Sequence, residues 1–171
     1  MQRIEYDRLV ALGWFQDERI ELLHGLLVAM SPQGSRHALA LSRLVRQLIV
    51  ALGARAEVRP QCPLAVSDDS EPEPDIAVVA PGDYREAHPT TALLVIEIAD
   101  ASLKRDRGVK ARLYAACGIP EYWIVNLVDD MVEIHTDPRA DGYQRIMRFE
   151  SGARVTLVMY PDVTIELNDL L

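Results

Sequence analysis

Two stretches decide the fold: Glu73-Pro74-Asp75-Ile76-Ala77-Val78-Val79, and Ala92-Leu93-Leu94-Val95-Ile96-Glu97-Ile98-Ala99-Asp100. Each is a short apolar run bounded by Pro or Asp, which is the pattern of a buried strand. A carboxylate inside such a run is costly unless it is paired or holds a metal. Asp75 and Glu97 therefore point to a divalent-cation site, provided the two strands pair. The backbone carbonyl of Ile98 offers a third oxygen. A cation is also needed beside the site to position water or stabilise developing charge. Lys110, on the helix that follows, can supply it, with Lys104 the alternative.

Outward from these strands, the chain alternates between helical and extended patterns. A short helix is expected over 5–13. Arg19 to Leu23 and Leu26 to Met30 read as a hairpin turning at His24-Gly25. After the break at 31–34, a long amphipathic helix runs from about Ser35 to Leu52 and stops at Gly53. Leu41, Leu44, Leu48 and Leu52 mark its apolar face, and His37 falls in register with them. Val58 lies in a short strand, and further strands follow near 64–67, 75–80 and 92–99. A helix from Leu103 to Cys117 ends at Gly118-Ile119-Pro120, and 122–127 is a buried strand with Tyr122 or Trp123 in the core. Met131 to His135, Tyr143 to Phe149, Val155 to Val158 and Val163 to Leu167 read as mostly antiparallel strands, with a turn at Asp141-Gly142. Segment 92–99, its helix and 122–127 form a crossover unit linking parallel strands. The fold class is thus α/β with a mixed sheet, in one domain over 1–171.

Composition narrows the function. The chain of 171 residues is 49% hydrophobic and 26% charged, which excludes disorder. Cys62 and Cys117 have no ligand-like spacing and are expected as small buried hydrophobes. A charged N-terminus and no apolar stretch of about 18 residues predict a cytoplasmic protein that does not cross a membrane. The net charge of −8 argues against a broad nucleic-acid-coating surface. Local positive charge remains: Lys104, Arg105, Arg107 and Arg112 cluster after the second acid, with Arg36 and Arg43 upstream. These would grip a phosphate backbone without reading sequence, or would form a solvated helix face.

The ordered set of motifs goes further. It comprises Glu21-Leu22-Leu23-His24-Gly25, Met30-Ser31-Pro32 with His37, Pro74-Asp75, Glu97-Ile98, Arg105-Asp106-Arg107, Lys110, Leu113-Tyr114 and Gly118-Ile119-Pro120-Glu121-Tyr122-Trp123. It resembles the Uma2 family, also called DUF820, over about residues 6–136. The resemblance implies a restriction-endonuclease-like core and a PD-(D/E)XK nuclease site that uses Mg²⁺, with Mn²⁺ as a substitute. It places Asp75 and Glu97 on metal-ligand positions, Lys110 on a displaced lysine position and Glu21 on a family glutamate beside the cleft. His24 and Leu26 depart from the family hairpin, and Asp100 stands where the family often has Ser.

Plain structural roles stay open beside these. Asp75 could cap a turn, Glu21 could be an exposed strand acid or line the site, and Asp106 could form a helical ion pair with Lys110 or line the site and orient it. His37 and Tyr114 could pack in the core or line the site. The expected function is a Mg²⁺-dependent endonuclease acting on DNA. The alternatives are an inactive nucleic-acid- or protein-binding module of the same fold, or a nuclease acting on RNA. Cutting two strands calls for two sites, so a homodimer is expected.

Overall fold

The computed structural model describes residues 1–168 and 170–171. Its centre is a six-stranded mixed sheet in the order β3-β4-β5-β6-β7-β8. These strands are β3 (Glu57–Pro60), β4 (Ile76–Val79), β5 (Leu94–Ala99), β6 (Glu121–Asn126), β7 (Met131–Arg139) and β8 (Gly142–Glu150). Among the described residues only β5 and β6 run parallel, and the chain between them is the crossover expected from sequence. The register Ile76↔Ile96 sets Asp75 opposite Glu97 one residue further along.

Alternation along the strands divides the core between two faces. Ile76, Val78, Leu94, Ile96 and Ile98 face α2 (Ser35–Leu52), whose buried stripe is Ala40, Leu44, Leu48 and Leu52. Ala77, Val79, Val95 and Ala99 face the opposite helical layer with Ala111 and Tyr114. Asp75 and Glu97 share the parity of this second set, so both project from that face. Tyr122 and Trp123 are both fully buried, one on each face, where sequence placed only one in the core.

The connection between β5 and β6 is not one regular helix. Short α3 (Leu103–Arg105) passes into a π turn over Asp106–Lys110 and then α4 (Ala111–Ala116). The Ala111 N–H reaches back to the Asp106 carbonyl, five residues earlier. Gly108, a poor helix former, lies inside this turn. Gly118, at φ +73, then closes the helix in the left-handed conformation.

The N-terminal segment contributes α1 (Arg3–Ala11) and the hairpin of β1 (Ile20–Leu23) and β2 (Leu26–Ala29). His24 and Gly25 both have positive φ, as a two-residue I′ turn requires. A bridge from Leu22 to Glu71 ties this hairpin to the loop before β4. At the other end, β9 (Arg154–Thr156) and β10 (Thr164–Glu166) form a separate ribbon over the α2 side. The Gln47 side chain exchanges two hydrogen bonds with the Glu166 backbone and so docks that ribbon onto α2.

Several expectations are corrected. Residues 64–67 form no strand: the Leu64 and Ala65 N–H groups bond the carbonyls of Pro72 and Pro89, and the segment closes as a turn through Ser67 and Ser70. Leu41 is only partly buried, and Ala40 takes its place on the apolar stripe. Cys62 and Cys117 are half-exposed free thiols. The span Ser35–Arg55 is long and apolar enough to cross a membrane, contrary to the sequence count. In this fold its apolar stripe is buried against the sheet, as in the core helix of a globular domain.

Candidate active site

Four parts of the chain meet at one end of β4 and β5. Asp75 lies just before β4, Glu97 lies within β5, and β1 brings in Glu21. The π turn delivers Asp106 and Lys110 from above, and all five side chains line one cavity of about 100 Å³. At roughly 30 Å³ per water, that is room for an ion with a few waters and too little for a metabolite.

Each strand acid has one oxygen engaged and one open. Asp75 Oδ2 accepts the Ile98 N–H at 2.8 Å and lies 3.0 Å from His37 Nε2. Glu97 Oε1 accepts from Lys110 Nζ and from the Tyr114 hydroxyl, both at 2.9 Å. Asp75 Oδ1 and Glu97 Oε2 accept no hydrogen bond among the described residues. In an extended strand the N–H and C=O of one residue face the same neighbour. The Ile98 carbonyl therefore also points to the Asp75 side.

Electrostatics make the cavity hungry for positive charge. Burial lifts the Glu97 carboxyl to about 8, against the pull of Lys110 and with Asp106, Asp75 and Glu21 adding to the rise. Burial raises Asp106 as well. Burial works against the Lys110 ammonium, but Glu97, Glu21 and Asp106 outweigh it and hold it above the ordinary lysine value. Lys110 lies 3.0 Å from Glu21 Oε2 and 2.9 Å from Glu97 Oε1. One buried ammonium thus faces three carboxylates, Glu97, Glu21 and Asp106, with Asp75 lining the same cavity. Glu21 Oε1 and Asp106 Oδ1 are buried without a hydrogen-bond partner among the described residues.

The expected helical ion pair between Asp106 and Lys110 is not formed as a direct contact. Asp106 Oδ2 instead accepts the Ser102 hydroxyl at 2.6 Å, while the π turn sends Lys110 to the strand acids. Tyr114 is fully buried, and it packs in the core while its hydroxyl reaches Glu97. Sequence reasoning overlooked Ser102 and gave Asp100 no role, although both line the cavity. Ser102, a capping-type residue one turn before Asp106, was the available signal.

The Uma2 family, described as "Putative restriction endonuclease", matches residues 5–168. The chain belongs to this family. Among solved structures, this Uma2 chain is similar to the crystal structure of a putative nuclease belonging to DUF820 from Anabaena variabilis ATCC 29413. The TM-score is 0.71 at 17% identity, covering 90% of each chain. That likeness bears on the fold. A search among curated proteins finds no match.

The basic residues of this Uma2 chain divide into free and engaged. Lys104, Arg105 and Arg112 line an open groove beside the cavity. Arg107 also lines it, but its guanidinium is tied to buried Glu133 and to Asp129. Arg36 bonds the Leu127 carbonyl and Asp130, away from the cavity. Arg43 lines neither the cavity nor the groove.

Proposed function

We propose that this Uma2 protein is a divalent-cation-dependent nuclease that hydrolyses DNA phosphodiesters. The observation that carries the proposal is that Asp75 and Glu97, each with one oxygen free of hydrogen bonds among the described residues, both line one small, acid-rich cavity. Restriction-endonuclease-like families generally use divalent metals. Mg²⁺ takes oxygen ligands and keeps several waters, so two carboxylates with the Ile98 carbonyl suffice. Among the described residues, no cluster of three or more His, Cys, Asp or Glu side chains is arranged around a metal position. A bound ion would supply an activated water and neutralise charge on the phosphoryl oxygens.

The protein's own groups have distinct tasks. Asp75 and Glu97 hold the ion, and the Ile98 N–H and Tyr114 hydroxyl fix which oxygen of each is free. Lys110 stays protonated, so it serves as a fixed positive charge and does not accept a proton from water. Lys104, Arg105 and Arg112 hold the phosphate backbone. A symmetric dimer would set two such sites against the two strands of a duplex.

A second reading is a binding module without turnover. It is favoured by the net charge of −8 and by the closed contacts of Lys110 with Glu97 and Glu21. The deciding experiment incubates supercoiled DNA, linear DNA and RNA with wild type and Glu97→Gln, in Mg²⁺ or Mn²⁺ and in EDTA. The nuclease proposal expects cutting of DNA that needs both the metal and Glu97. Intact substrates at high dose of clean wild type would leave the binding module. Cutting of RNA with DNA left whole would reassign the substrate.

A further inference from the structure

The cavity opens onto two flanks of opposite charge. One flank is the groove lined by Lys104, Arg105, Arg107 and Arg112, with no carboxylate among the described residues of its walls. It encloses about 1040 Å³, enough for several nucleotides of an extended strand. Lys104, Arg105 and Arg112 form no ion pair or hydrogen bond among the described residues. The other flank is lined by Asp17, Glu18 and Arg19, and Arg19 is already matched by Glu73 at 2.9 Å. Ser31 borders the cavity and both flanks, so the three are continuous.

A strand crossing the mouth of the cavity would lay phosphates on both flanks. Exposed charges more than about 8 Å apart are largely screened at physiological ionic strength, so each phosphate feels chiefly the flank on which it lies. On one side they meet Lys104 and Arg112, both free, and Arg105, whose charge is shared with Asp106, and on the other Asp17 and Glu18 without a free counter-charge. We infer that the nucleic-acid strand is held on one side of the reaction centre only, and that this protein engages a strand terminus in preference to the middle of an unbroken strand. The inference rests on the nucleic-acid reading above and narrows its substrate class.

The test is equilibrium binding in Ca²⁺ of a fluorescent single-stranded oligonucleotide and of the covalently closed circle of the same sequence. The linear strand can leave its end at the cavity, whereas the circle must cross the acidic flank. Two repelling charges at this range predict that the circle binds at least about fivefold more weakly to wild type. Asp17→Lys with Glu18→Lys, both at exposed positions, should bring the circle to within about twofold of the linear strand. Lys104→Glu with Arg112→Glu should weaken both forms alike. Equal or tighter binding of the circle to wild type overturns the one-sided inference and leaves the nuclease proposal standing. Binding of neither form overturns the nucleic-acid reading and this inference with it. Preferential binding of the linear strand without cleavage in Mn²⁺ would sink the nuclease proposal alone.

Discussion

The Lys110 ammonium rests 2.9 Å from Glu97 Oε1, across thirteen residues of sequence. The pair is buried, and Glu21 completes it at 3.0 Å from the same nitrogen. Breaking a buried pair by removing one partner leaves an uncompensated charge. Lys110→Met should therefore destabilise the metal-free protein by about 3 kcal/mol, measured by urea denaturation in EDTA. A change under about 0.5 kcal/mol would mean that solvent screens the pair.

Asp75 carries two duties that separate by substitution. Asp75→Asn keeps an oxygen for the buried Ile98 N–H but removes the anion. It should abolish Mn²⁺ binding by calorimetry while shifting stability little. Asp75→Ala also orphans the Ile98 N–H, at a further cost of about 1–3 kcal/mol. Equal stability of the two variants would show that the bond to Ile98 contributes nothing.

His37 faces the same carboxylate at 3.0 Å, from the first turn of α2. An N–H donated to a metal-binding carboxylate orients it and fixes which oxygen is free. His37→Ala should weaken Mn²⁺ binding about tenfold, and His37→Gln, which keeps an N–H donor, should recover part of it. Identical titrations for all three proteins would remove His37 from the site.

Arg107 and the pair Lys104 and Arg112 should behave differently although they share one groove. Arg107→Ala leaves Glu133 buried with Asn126 as its remaining short-range donor, and should cost about 2–3 kcal/mol of stability. Lys104→Ala with Arg112→Ala should leave the denaturation midpoint alone. It should instead flatten the salt dependence of single-strand binding by about 1.4 in log–log slope. The reverse pattern would assign the phosphate contacts to Arg107.

Glu71, behind the hairpin, sets a pH dependence of folding. Burial lifts its carboxyl to about 7, with Arg3 opposing and Asp7 and Glu73 adding. The folded chain holds this proton more tightly than the unfolded chain, whose glutamate titrates near 4.5. The resulting stability is fully present below the unfolded value and is lost as pH rises through about 7. Glu71→Gln should remove that loss and exceed wild type at about pH 8 by roughly 1–2 kcal/mol, a figure reduced for partial solvation. Parallel denaturation midpoints for the two proteins from about pH 5 to 8 would contradict it.

Much of the site was legible because it sits on regular elements. Asp75 and Glu97 stand out as charges in apolar runs, and strand alternation sends them to one face. The crossover helix puts Lys110 nearby. What sequence could not show is geometry that breaks periodicity. The spacing of Asp106 and Lys110 reads as one face of an α-helix, yet the extra residue in the turn sends them to different partners. Glu21 was ambiguous because its strand is short and its burial depends on the Leu22–Glu71 bridge between distant segments. The 64–67 stretch has strand-like residues, but the proline carbonyls of neighbouring loops take up its donors. The cations looked alike in sequence, whereas acids far along the chain engage Arg36 and Arg107 and leave Lys104 and Arg112 free.

The π turn at Asp106–Lys110 makes the register of one short segment decide whether the site exists. Deleting Arg107, Gly108 or Val109 would restore an ordinary helix and swing Lys110 about 100° around the axis relative to the preceding turn. Every acid and the whole sheet would remain, yet the charge that balances them would point elsewhere. A lineage could thus disarm or restore this centre by losing or gaining one codon, with no ligand ever substituted.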